Sequence, residues 1–206
     1  AYDATAINKP PVVLAGGDQT VTFPAAAALQ GSVNDDGLPG GVPLTIAWSK
    51  VLGPGEVTFG DAGNAATGAS FSTGGVYVLR LTASDGLAGA GDEVTITVNM
   101  APEVSAGPDV LVTLPGKAQL HGSAADDGLP GGFEVSIQWS KVSGPGSVVF
   151  DDESAPNTQA AFGAGGVYVL RLTANDGLAG ASDEVTVTAN LAPLVDAGPD
   201  QTVVLP

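Results

Sequence analysis

A period of 91 residues constrains this chain more than any other feature of its sequence. Asp35-Asp36 recurs as Asp126-Asp127, Trp48 as Trp139, Tyr77 as Tyr168 and Glu93 as Glu184, with no gap between the copies. About 60% of positions are identical across the two copies, far above chance for unrelated segments. Residues 75–90 return almost unchanged as residues 166–181. A chain built this way must make one structural unit twice, so the reading of one copy serves both. The period sets the expected boundaries at 9–99 and 100–190. Residues 4–8 stand in register with 95–99, so residues 1–8 read as the final strand of a preceding repeat or a donated strand. A third copy opens at Pro193, so residues 191–206 read as the first strand of a third repeat or a strand that pairs with a neighbour. The sequence therefore reads as a window on a longer array.

Within one copy the apolar residues alternate with polar ones, the mark of strands with one buried face. Tyr77, Leu79, Leu81 and Ala83 share one parity, and Val94, Ile96 and Val98 share another. The segment Asp85-Gly-Leu-Ala-Gly89 between them is turn chemistry, so the two strands form a hairpin. Leu44, Ile46 and Trp48 mark a core strand. Residues 19–23, 27–31, 57–59 and 69–71 supply the other short strands, divided by Gly- and Pro-rich turns. Seven or so short strands per copy predict an all-β fold, a seven-stranded immunoglobulin-like sandwich repeated in tandem. Trp48 and Tyr77 belong to its core rather than to a ligand site.

Composition narrows the function. With 30 Gly, 15 Pro and 44% hydrophobic residues the chain suits turn-rich β structure, and the regular apolar alternation opposes disorder. There is no Cys, hence no disulfide and no thiol chemistry. No apolar run is long enough for a membrane helix, and no signal peptide is read. The formal charge of −16 disfavours nucleic acid and anionic membranes as partners. The few cations are periodic: Lys50 and Arg80 return as Lys141 and Arg171. The arginines point away from the core, to a solvated sheet surface or to a salt bridge between domains or subunits.

Three ordered motifs carry a family resemblance: Asp-Asp-Gly-Leu-Pro-Gly-Gly at 35–41 and 126–132, Trp-Ser-Lys-Val at 48–51 and 139–142, and the strand-and-turn segment at 75–90 and 166–181. Together they resemble PKD-type domains. Asn99-Met-Ala-Pro102 and Asn190-Leu-Ala-Pro193, with Ala106-Gly-Pro-Asp109 following the first, are similar to the opening of the version found in bacterial and archaeal surface proteins. The resemblance covers nearly the whole chain. It implies a seven-stranded immunoglobulin-like sandwich and an extracellular spacer, adhesion or assembly module.

Catalysis has little to work with. His121 is the only histidine, and Gln30 replaces it in the first copy. No nucleophile elbow, phosphate loop or zinc spacing is present. Calcium is the credible ligand, because it takes hard oxygens that acidic, Gly-rich loops can supply. Asp35 and Asp36, repeated as Asp126 and Asp127, are the candidates, with Asp85 and Asp176 expected at the same end of each sandwich near the Asn8-type linker. The resemblance adds weight, since some PKD-like domains bind calcium at such a cluster. The competing reading is that Asp-Asp-Gly and Ser/Asn-Asp-Gly make turns without metal.

The expectation from sequence is a structural repeat of an extracellular filament, stalk or surface fibre, with calcium at its junctions. It would assemble as a homo-polymer or by self-association through its terminal strands, residues 2–8 and 201–205, since an unpaired sheet edge templates strand addition. The alternative is an adhesin or an accessory binding or spacer module, with glycan or host-surface contact. The aromatic residues go to the core, which leaves little for a sugar platform. Membrane insertion and enzymatic activity are not expected.

Overall fold

The computed structural model describes residues 7–131 and 134–203, all of them strand, turn or loop. The first repeat contains β1 (Val12–Leu14), β2 (Gln19–Thr22), β3 (Ala27–Gln30), β4 (Ser32–Asn34), β5 (Thr45–Leu52), β6 (Val57–Phe59), β7 (Ala66–Phe71), β8 (Gly75–Ser84) and β9 (Gly89–Asn99). One sheet runs β2-β9-β8-β5 and another β3-β7-β6, while β1-β4 forms a separate two-stranded pair. Strand β2 is parallel to β9, while β8-β9 and β5-β8 are antiparallel. This is an immunoglobulin-like sandwich, as the alternation predicts.

The two faces follow directly from residue parity. Along β8 the residues Tyr77, Leu79, Leu81 and Ala83 are buried, and along β9 so are Val94, Ile96 and Val98. Trp48 from β5 stacks on Phe59 with ring centroids 6.3 Å apart, and Phe71 lies 4.6 Å from Tyr77. Burying rings this size is a leading favourable contribution to folding, provided their polar atoms keep partners. They do: Trp48 Nε1 donates to the Ala65 carbonyl at 3.0 Å, and Tyr77 Oη to the Thr73 carbonyl at 2.9 Å.

Nine elements appear where seven strands were expected, for two physical reasons. The first strand divides because the chain passes from the β1-β4 pair to the four-stranded sheet between Leu14 and Gln19. Its two halves pair with β4 and β9 respectively. The second divides at Gly31, where a Cβ would press on the Ala65 carbonyl, Leu81 and the Trp48 ring. A strand can cross the tryptophan there only without a side chain.

The second repeat reproduces this plan with β10 (Glu103–Ser105), β11 (Val110–Leu114), β12 (Ala118–His121), β13 (Ser123–Ala125), β14 (Ser136–Ser143), β15 (Val148–Phe150), β16 (Asn157–Phe162), β17 (Gly166–Asn175) and β18 (Gly180–Leu191). Its sheets are β11-β18-β17-β14 and β12-β16-β15, with β10-β13 alongside, and β11 is parallel to β18. Trp139, Tyr168, Leu170 and Leu172 are its buried centre. By compactness the chain divides into Ala1–Glu103 with Ala124–Ser136 and Ala174–Ala181, and into Val104–Ser123 with Ile137–Thr173 and Ser182–Pro206. No helix among the described residues is long and apolar enough to cross a membrane.

Of the terminal segments, residues 1–6 and 204–206 lie outside the described residues. Residues 192–203 are exposed and form no strand. The arginines lie on the exposed sheet surface and find partners within their own sandwich. Arg80 stands opposite Glu93 across β8-β9, 3.6 Å away, and Arg171 donates twice to Glu184 at 3.0 and 2.6 Å. Each is a cross-strand pair on one sheet, in the register that side-chain length favours. Both partners are about half exposed, so each pair is worth at most about 1 kcal/mol.

Candidate functional site: the acidic loops and the asparagine that meets them

The turn between β8 and β9 is built on Asp85. Its Oδ1 accepts the backbone N–H groups of Leu87 and Ala88 at 2.8 and 2.7 Å, an Asx-type arrangement that closes the reversal. Its Oδ2 accepts the Asn8 carboxamide at 2.9 Å. Asp85 is buried. These donors, led by Ala88 N–H and then Asn8, outweigh burial and hold its carboxyl below the usual carboxylate range.

The second repeat has the same construction. Asp176 accepts Leu178 and Ala179 N–H at 2.7 and 2.6 Å and the Asn99 carboxamide at 2.9 Å. Burial pushes its carboxyl up, but the Ala179 N–H, the Asn99 carboxamide and the Leu178 N–H together push it down further, so the net direction is down. Asn99, Asp127 and Asp176 all belong to the first compact unit.

The other predicted carboxylates divide into two kinds. Asp35 and Asp126 each accept the N–H of the glycine two residues on, at 2.9 Å, and so make turns. Asp36 and Asp127 cap their own loops through Leu38 and Leu129 N–H. Their second oxygens accept the backbone N–H of Lys9 at 3.1 Å and of Met100 at 3.3 Å. Consecutive residues of the linker, Asn8-Lys9 or Asn99-Met100, therefore meet two acidic loops at once. The structure brings Asp36 together with Asp85, and Asp127 with Asp176, around that dipeptide. Among the described residues no group of three or more acidic or histidine side chains converges to hold a metal ion. Among the described residues, Asn8 Oδ1, Asn99 Oδ1 and Asp126 Oδ1 are buried side-chain oxygens without a partner.

Two further carboxylates were not singled out in the sequence. Asp92 Oδ2 accepts Ala15 N–H at 2.9 Å, and Asp18 Oδ1 accepts Thr95 N–H at 2.8 Å. Asp183 and Asp109 repeat these bonds on Ala106 and Thr186. The Ala106 N–H, with that of Glu184, lowers the Asp183 carboxyl. They tie the first strands of each sandwich to its last. Their signal lay in the period, since each aspartate recurs in both copies. His121 ends the exposed side of β12 and joins no cluster.

Comparison with known proteins places this fold. The chain belongs to the K319L-like PKD domain family, which matches residues 15–98 and 106–189. It is 29% identical over 194 residues to the human dyslexia-associated protein KIAA0319, covering 90% of this chain and 18% of that protein. The I-band fragment I67–I69 of titin aligns over 90% of this chain and 67% of its own, at 15% identity and a TM-score of 0.53. Extracellular domains 3–5 of Drosophila OTK align over 89% and 63%, at 14% identity and a TM-score of 0.51. At such identities the structural likeness speaks to the fold alone. Both solved structures share with this chain the tandem immunoglobulin-like fold.

Proposed function

We propose that this chain is a structural segment of an extracellular filament, stalk or surface fibre, built by stringing PKD-type sandwiches along one polypeptide. The observation that carries it is the parallel pairing of β2 with β9 and of β11 with β18. Parallel neighbours start at the same end, so within each sandwich the chain comes in at one end and leaves at the other. Entry and exit at opposite ends is what stringing sandwiches end to end requires. The period and the extracellular domains 3–5 of OTK, which share the fold, favour the same reading, and the Asn-x-Ala-Pro opening fits a bacterial or archaeal surface protein. The alternative, an adhesin or an accessory spacer, shares the fold but needs a binding patch. Self-association through residues 2–8 and 201–205 is a variant of the fibre reading.

Calcium belongs to this proposal on one observation: Asn8 Oδ1, Asn99 Oδ1 and Asp126 Oδ1 are each a buried acceptor without a donor, the kind of oxygen a hard cation takes. Electron microscopy of native cell-associated material tests the fibre. Thin filaments with an axial repeat of one or two sandwiches support it. Discrete rods carrying another domain at their end overturn it in favour of the spacer.

A further inference from the structure

The backbone of Asn99 belongs to the first sandwich. It pairs with Thr22 across β2-β9, and its carbonyl accepts Phe23 N–H at 2.8 Å. Its side chain serves the second sandwich's hairpin turn, where the carboxamide meets Asp176 in full burial. The same geometry occurs at Asn8 and Asp85, 91 residues earlier, and the following backbone N–H lands on Asp36 or Asp127 in both copies. A buried carboxylate whose Oδ1 is committed to two amides leaves one acceptor, Oδ2, and requires a donor there. A carboxamide supplies it. A carboxylate in its place would set two negative charges against each other away from water.

We propose that the two acidic loops of each repeat form a socket that recognises the asparagine at the strand end leading into it, and that this asparagine–aspartate match couples the stability of the receiving turn to the strand that precedes it. The partner is a strand end of the Asn-x-x-Pro kind carried by another repeat of this family. Asn190-Leu-Ala-Pro193 is such an end: it closes β18 with its asparagine exposed, and it fits the socket of a further repeat. The inference rests on these hydrogen bonds and not on the fibre reading, so either can fail alone.

The test uses the full chain in excess chelator at neutral pH, comparing Asn99→Asp, Asp176→Asn, the double variant Asn99→Asp/Asp176→Asn and the control Asn190→Asp. Thermal midpoints and amide exchange at Leu178 and Ala179 are read. Asn99→Asp should lower the midpoint by roughly 5–10 °C and speed exchange at both amides. Asp176→Asn should cost less, because Asn99 can turn its free Oδ1 toward the new amide. The double variant restores one donor facing one acceptor and should recover most of the loss. Asn190→Asp should be silent. An Asn99→Asp midpoint equal to that of Asn190→Asp, or a double variant no better than Asn99→Asp, overturns the proposal.

Discussion

Gly144 holds a backbone angle φ of +133°, and a Cβ there would run into the Tyr168 ring. The tyrosine is fully buried, stacks at a tilt on Phe162, and donates its hydroxyl to the Ala164 carbonyl at 2.7 Å. Gly144→Ala combines left-handed strain with overpacking and should cost about 2–4 kcal/mol. Tyr168→Phe keeps the ring and loses only the hydrogen bond, about 1 kcal/mol. Urea unfolding of the two variants measures the difference, and a Gly144→Ala loss no larger than that of Tyr168→Phe would refute the steric account. The buried aromatics were legible in the sequence because alternation alone assigns a face to Tyr77 and Trp48. The role of Asn99 was not. Its motif was visible, but its partner lies 77 residues on, and nothing in local pattern tells which acceptor a linker carboxamide will meet.

At the level of elements, each hairpin turn is held by a carboxylate, Asp85 or Asp176, and the start of the second sandwich is tied to its last strand by Asp183, all three favoured in their ionised form. Asp85, Asp176 and Asp183 all have carboxyls lowered by the N–H groups they accept. A carboxyl whose value in the fold lies below its unfolded value, about 3.9, contributes stability above that pH. The contribution is lost as pH falls through the folded value. Asp176→Asn removes the titration, so the stability gap between it and the parent chain should be widest at neutral pH and close in strong acid. Denaturation across pH 2–7 checks this, and a gap independent of pH would show that the charge of Asp176 is irrelevant to the turn. The strands and the hairpin were readable from period-2 alternation. The two strand divisions were not, because both arise from a contact with another part of the sandwich: β9 captures β2, and Trp48 forces Gly31.

For the molecule as a whole, a formal charge of −16 on 206 residues means that any cation stabilises the fold somewhat by relieving self-repulsion. Only a site discriminates between ions. If the acidic loops hold calcium, melting in millimolar calcium should exceed that in equal magnesium by a few degrees. Identical midpoints in calcium, magnesium and chelator at matched ionic strength would remove calcium from the reading. The tandem architecture was evident from the period, whereas the fate of the carboxylates depends on donors as far as 77 residues away, which local pattern does not reveal. The parallel pairing of first and last strands has a mechanical consequence. Pulling on the two ends of such a sandwich slides β2 past β9, or β11 past β18, along their length. The bonds of that ladder are then loaded in shear and share the force, instead of opening one after another like a zip. The aspartates that pin Ala15 and Thr95 across the same seam add to it, so the sandwich is strongest along the line in which a strung chain would be stretched.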